Sequence, residues 1–367
     1  METAASPSTI LWLAFALGAV FGAVGNRTHF CTMGAVSDIV NMSEWSRMRM
    51  WLLAIAVAIL GSAALHASGQ IDLGKSIYRT PNFIWLSYLV GGLCFGVGMV
   101  LASGCAGKTL IRIGGGNLKS LIVFLVMGIV AYMTIRGVLG VFRVNVLERA
   151  TIYLSGGQDL PAILSTSGIP PDISLAICTL LIGGGILAFV FARRDFLSFD
   201  NLLGGIVTGL VVVGGWYVSG HLGYLAEDPN TLQEAFVATN SGRMESFTFV
   251  APQAYTLELL MLWSDSSRKM SFAIAGALGV IAGSMAYALL SRSFRWEGFR
   301  DIEDTANHLV GAALMGFGGV VATGCTIGQG LTGLSTLATG SMLAFAAFIA
   351  GAAVALKYQY WKLMREP

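Results

Sequence analysis

GGLCFGVGMVLASGC, from Gly91 to Cys105, returns 220 positions later as GAALMGFGGVVATGC, from Gly311 to Cys325. The shift superposes Gly91 on Gly311, Gly96 on Gly316, Gly98 on Gly318, Gly104 on Gly324 and Cys105 on Cys325. Each string is an apolar helix with glycine at close spacing that stops at Gly-Cys. A break at the same place in two copies of a membrane helix is the pattern of a binding site between repeats, because half-helix ends leave backbone N–H groups unpaired there.

Composition names the solvent. Only 11% of the 367 residues are charged and 55% are hydrophobic, against roughly 25% charged in soluble domains. Hydropathy predicts about nine spans, at about 8–25, 48–68, 83–103, 120–141, 172–192, 201–219, 271–291, 306–323 and 341–358. Four further apolar stretches, at about 28–41, 106–117, 251–263 and 326–338, are too short to cross and read as re-entrant helices. The expected fold is therefore an all-α polytopic membrane protein. Residues 1–142 make a first repeat of four spans and two short helices, 143–199 a loop and linker helix, and 200–367 a second repeat. Because the linker crosses once, the second repeat starts on the opposite face, so the halves are inverted.

The start, METAASPST, lacks the basic flank of a cleavable signal peptide, and the first apolar stretch reads as a retained helix. Fourteen of the 22 Lys and Arg fall on the face reached after the first span, among them Arg27, Arg47, Lys108, Arg112, Arg194, Arg300 and Lys362. The positive-inside rule makes that face cytoplasmic, with the amino terminus outside and the carboxyl terminus inside. A net charge of +2 gives no reason to expect nucleic acid as a partner. The partner the composition does imply is the lipid bilayer. Five cysteines without a CxxC pair exclude a disulfide scaffold and a zinc site, the four histidines lack metal-ligand spacing, and no motif calls for a cofactor. GCAGKT lacks the leading glycine of a phosphate-binding loop. Gly18 with Gly22 and Gly92 with Gly96 form GxxxG pairs that predict close helix packing.

The chemistry then falls to thiols. Cys105 and Cys325 end the repeated helices, and Cys31, in NRTHFCTMG, also follows a span at the start of a short segment. Cys94 falls inside a helix and Cys178 in the linker helix, and both read as core. A thiol is a weak, polarisable donor suited to a soft sulfur atom rather than a hard anion such as phosphate or fluoride. Gly104 and Gly324 precede the two paired cysteines. Lys108 is the candidate counter-charge, and Thr326 and Gln329 are neutral donors beside the second break.

FGVGMVLASGCAGKTLIRIGGGNLKS, GFGGVVATGCTIGQGLTGLSTLATGS and the early HFCTMGAVSDI closely resemble the YeeE/YedE family of bacterial membrane proteins, over nearly the whole chain. The resemblance implies an hourglass of nine membrane helices with several short ones in pseudo-symmetric halves, set in the bacterial inner membrane. It implies a permease that imports thiosulfate, or a related sulfur or selenium compound, past three thiols, which here are Cys31, Cys105 and Cys325. It also implies a small cytoplasmic sulfur-carrier protein as a partner. Two other classes stay open: a membrane thiol enzyme handing sulfur to that carrier through a persulfide or disulfide, and a passive anion channel. Neither the order of the cysteines along the path nor the role of the polar loop at 221–250 follows from the residues.

Overall fold

The computed structural model describes residues 5–193, 196–228 and 232–365. Arg194, counted above on the cytoplasmic face, and residues 229–231 of the polar loop lie outside the described residues. The helices in order are α1 Pro7–Arg27, α2 Thr32–Met42, α3 Ser46–Ala67, α4 Trp85–Leu101, α5 Ala106–Gly114, α6 Leu118–Arg136, α7 Val138–Phe142, α8 Leu160–Ser165, α9 Pro171–Thr179, α10 Gly185–Phe191, α11 Phe199–Tyr217, α12 Ala251–Met261, α13 Phe272–Leu290, α14 Ile302–Val321 and α15 Thr339–Leu363. Two short antiparallel strand pairs decorate the loops: β1 Asn82–Phe83 with β2 Ile152–Tyr153, and β3 Tyr224–Leu225 with β4 Ala235–Phe236.

Local chemistry starts these helices where the apolar runs begin. Ser6, Asn117, Ser198, Ser271 and Asp301 cap α1, α6, α11, α13 and α14 by accepting from the backbone N–H three residues on, which satisfies a donor that lipid cannot. Eight helical stretches among the described residues are long and apolar enough to cross a membrane, and the chain is a mostly helical multi-pass membrane protein. α14, where the sequence predicts a further span, is 20 residues long but carries Glu303 and Asp304 in its first turn and is not one of the eight. The four short apolar stretches become α2, α5, α12 and a segment containing a π-helical turn, Gly328–Gly333, followed by a 3₁₀ turn, Leu334–Thr336.

Glycine decides which helices meet. A Cβ on Gly18 or Gly22 would stand 2.2 or 2.1 Å from a carbonyl oxygen of α13, and one on Gly279 or Gly283 would meet a carbonyl of α1 at 2.2 or 1.9 Å. Because Gly18 meets Gly276 and Gly22 meets Val280, the sequence rises together on both helices and they run parallel. The predicted packing role of the GxxxG pairs holds here and at Gly92 and Gly96, which lie against Ala347 and Phe348 of α15.

The repeated strings meet each other. Gly91 of α4 lies on Gly318 of α14 and Gly98 on Gly311, so one sequence rises as the other falls and these two helices are antiparallel. Under the 220-residue shift Gly91 corresponds to Gly311 and Gly98 to Gly318, so each contact is the other's counterpart. The crossing is symmetric about a point midway along both helices.

Candidate functional site

Three cysteines share one piece of backbone. α1, α4 and α14 each end, and two residues before each cysteine a non-glycine residue takes a left-handed conformation: His29 at φ 52°, Ser103 at 55° and Thr323 at 56°. That geometry breaks each helix, and the short elements that follow pack on other helices, α2 on α3 and α15 and α5 on α13 and α6. Cys31 and Cys105 then occupy the N-cap positions of α2 and α5, and Cys325 stands just ahead of the segment leading into the π turn. Neither Gly104 nor Gly324 is needed for a positive φ. A Cβ on Gly104 would stand 3.3 Å from the Lys108 side chain, and one on Gly324 3.2 Å from Gln329 Cγ, so these glycines let the following turn pack close.

All three thiols are buried, at 6, 2 and 0% exposure for Cys31, Cys105 and Cys325. The side chains of Cys31 and Cys105 lie against each other. Thr326 lies against the Cys105 thiol, its hydroxyl otherwise buried without a partner among the described residues. Cys325 Sγ accepts from the N–H of Phe249 at 3.3 Å and of Gly328 at 3.4 Å, and the Thr248 hydroxyl stands 3.8 Å away. The row therefore reads Cys325, Thr326, Cys105, Cys31. Phe249 stacks on Phe21 at 5.5 Å, Phe21 meets Phe30 edge-on at 6.3 Å, Phe30 stacks on Trp51 at 4.8 Å and Trp51 on Phe345 at 5.8 Å. This chain of rings runs from Phe249, whose N–H reaches Cys325, to Phe30, which precedes Cys31.

Cations gather at the Cys31 end. Lys108 is within electrostatic reach of both Cys31 and Cys105 and is not part of an ion pair among the described residues. Arg112 Nη1 lies beside Gly104, and Arg47 Nη1 beside Gly34. A cavity of about 240 Å³ opens nearby, lined by Ser103, Arg112, Lys119, Arg300, Asp304 and His308. Gln329 is fully buried and committed: its Nε2 donates to Ala322 O and Thr323 Oγ1, and its Oε1 accepts from Ser341. It ties the break together and presents no free donor. Cys94 and Cys178, read as core, are only half buried. Among the described residues no group of three or more His, Cys, Asp or Glu stands close enough to hold a metal ion.

One contributor escapes the sequence reading. After the β3–β4 pair, the polar loop turns inward, and Met244, Glu245, Ser246, Phe247, Phe249 and Val250 are all buried. The Ser219 hydroxyl donates to Glu245 O and the Ser246 hydroxyl to Val212 O, which anchors the stretch and delivers Thr248 and the Phe249 N–H to Cys325. The available signal was FTFV, aromatic and β-branched residues running without a break into the short apolar stretch at 251.

A family described as sulphur transport matches this chain over residues 27–354. A thiosulfate transporter, TsuA of Escherichia coli strain K12, is 27% identical over 333 residues, 86% of this chain and 84% of its own length. TsuA of Spirochaeta thermophila is 26% identical over 371 residues, 93% of this chain and 97% of its own length. Both relatives are named as transporters rather than enzymes.

Proposed function

Because this chain belongs to the sulphur-transport family, we propose that it imports thiosulfate across the bacterial inner membrane, handing the anion from Cys325 to Cys105 to Cys31. The relatives named as thiosulfate transporters support the substrate. The observation that carries the route is the row of three buried thiols on three like helix breaks, with the Thr326 hydroxyl between two of them.

The chemistry suits a passing guest. The thiols are buried, so the anion needs replacement donors, yet strong fixed charges along the whole path would trap it. A thiol supplies a weak S–H donor to the terminal sulfur of thiosulfate, and each step exchanges one such contact for another of the same kind. Thr326 adds a hydroxyl at the midpoint. N–H groups at the starts of α2 and α5 contribute partial positive charge beside Cys31 and Cys105. Lys108 supplies the full charge that draws the anion to the inner end, Gly104 and Gly324 let Lys108 and Gln329 approach, and Gln329 holds Cys325 in place. The thiols stay reduced and unmodified throughout.

Residues 1–142 and 200–367 act as inverted halves around the 143–199 linker, giving nine spans and four re-entrant helices. The symmetric antiparallel crossing of α4 and α14 supports that reading. The amino terminus is outside and the carboxyl terminus cytoplasmic, so the cavity beside Arg112 and Arg300 faces the cytoplasm, where a small sulfur-carrier protein meets the released anion. Selenium analogues of the anion present an equally soft atom and fit the same thiols.

The test is growth of a bacterial host lacking its own thiosulfate uptake, with thiosulfate as sole sulfur source. The wild-type chain restores growth, and Cys325→Ala or Cys105→Ala abolishes it. Absence of rescue by the wild type, with or without a carrier protein, overturns the reading. A substrate-dependent mass gain on one cysteine identifies a thiol enzyme instead, and undiminished conduction by the alanine variants identifies a channel.

A further inference from the structure

Tyr78 belongs to the loop between α3 and α4, and no motif drew attention to it. Its side chain is 4% exposed and its hydroxyl is buried without a hydrogen-bond partner among the described residues. Nothing about the ring is loose. The ring packs edge-on against Trp216 at 6.3 Å, and Trp216 in turn donates to Ser335 Oγ at 2.9 Å. On either side the backbone is anchored: Ser76 pairs with Met244, and Arg79 donates to Thr336 O at 3.0 Å while its guanidinium meets Asp159 at 3.5 Å.

The hydroxyl points at the outer end of the thiol row. A Cβ built on Gly328 would stand 3.4 Å from Tyr78 Oη and 2.5 Å from Thr248 Oγ1, and the N–H of the same glycine donates to Cys325 Sγ. The Tyr78 and Thr248 hydroxyls therefore converge over Gly328, with no room for a side chain there, and the Gly328 N–H ties the same residue to the Cys325 thiol. An unpaired buried hydroxyl is costly, and a phenylalanine would pack equally well without that cost. Burial, with Cys325 and Glu245 in electrostatic reach, pushes the Tyr78 hydroxyl well above the ordinary tyrosine range, so it stays a neutral proton donor.

We infer that Tyr78 is a specificity-determining residue that donates its hydroxyl proton to a sulfonate oxygen of thiosulfate while Cys325 holds the terminal sulfur. The inference rests on the thiosulfate reading above and deepens it. Thiosulfate has one soft end and one hard end, and the groups gathered around Gly328 supply a thiol for the first and the Tyr78 and Thr248 hydroxyls for the second. Hydrosulfide lacks the oxygens and sulfate lacks the soft atom, so each satisfies only half of this site.

The decisive variant is Tyr78→Phe, compared with wild type in three measurements: radiolabelled thiosulfate uptake into proteoliposomes, calorimetric binding of thiosulfate to the purified protein, and melting temperature in detergent. Loss of a hydrogen bond to a charged ligand raises KM and Kd about tenfold or more, while the melting temperature stays level or rises. A structural tyrosine gives the opposite pattern, with unchanged binding and a lowered melting temperature. Unchanged KM and Kd in Tyr78→Phe overturn the assignment alone. A wild-type protein that binds thiosulfate without carrying it sinks the transport reading alone, and Tyr78 is then judged on Kd. A wild type that neither binds nor carries thiosulfate overturns both.

Discussion

At the scale of single residues, the most consequential titratable group is Glu245. It lies in the inward-turning part of the loop, outside the spanning helices, and makes no ion pair among the described residues. Its carboxylate accepts only from Asn240 N–H at 3.3 Å and Ser241 Oγ at 3.2 Å, and the groups facing it from other elements are the hydroxyls of Tyr78 and Tyr255. Burial raises its pKa from 4.5 to about 7. The folded protein then keeps this proton over a range in which the unfolded chain has lost it. Its contribution is complete below pH 4.5 and is lost as pH rises through about 7, worth about 3 kcal/mol across that window. Glu245→Gln removes the penalty, so in melting experiments the variant matches wild type near pH 4.5 and is more stable at pH 8. Equal melting temperatures at pH 8 contradict the assignment. Legibility at this scale was uneven. Cys105 and Cys325 stood out because each ends a copy of the repeated helix, and Cys31 because it too follows a span at the start of a short segment, and the three are buried at like helix breaks. Tyr78 and Thr248 were not, because what marks them is their approach to Gly328 and Cys325, which are distant from both in sequence.

At the scale of elements, the helix breaks carry the site, and their geometry departs from what Gly-Cys suggests. Glycine is the usual residue for positive φ, yet the left-handed positions are His29, Ser103 and Thr323. Gly104 and Gly324 serve close approach instead. Ser103 is therefore a place where strain is stored, of order 1 kcal/mol or more for a non-glycine residue. Its left-handed φ needs no side chain, so Ser103→Gly raises stability by about 0.5–1 kcal/mol, read as a higher melting temperature, and leaves thiosulfate uptake at the wild-type level. A fall in melting temperature shows that the serine side chain holds the turn. Thr323→Gly gives no such gain, since it also removes the acceptor for Gln329 Nε2. The short elements α2, α5 and α12 were legible from length alone. The buried stretch from Met244 to Val250 was not, because Glu245, Ser246 and Thr248 give it the composition of a solvated loop, and burial is tolerable because Glu245 accepts from Asn240 and Ser241, Ser246 donates to the backbone of α11 and Thr248 meets Cys325.

For the whole molecule, the fold class followed from composition, and the register of its centre followed from one 220-residue shift. What the shift did not reveal is that the two copies contact each other. That depends on α4 and α14 approaching to backbone distance, which glycine permits and hydropathy does not record. Lipid supplies little hydrophobic drive between helices, so such close van der Waals contact holds membrane bundles together. The crossing also sets the thiols, because the helices break at Ser103 and Thr323 on opposite sides of it and Cys105 meets Thr326. Gly311→Val tests this link between assembly and transport. Its Cβ would stand 2.6 Å from Ala102 N and 2.7 Å from Gly98 O, both backbone atoms that no rotamer change can move. Overpacking of this kind costs about 1–3 kcal/mol or more, so the melting temperature falls and uptake falls with it. Gly298→Val, at a glycine with nothing near its would-be Cβ, changes neither. A Gly311→Val protein that folds with wild-type stability and carries thiosulfate at the wild-type rate shows that the two halves do not depend on the glycine crossing to align their thiols.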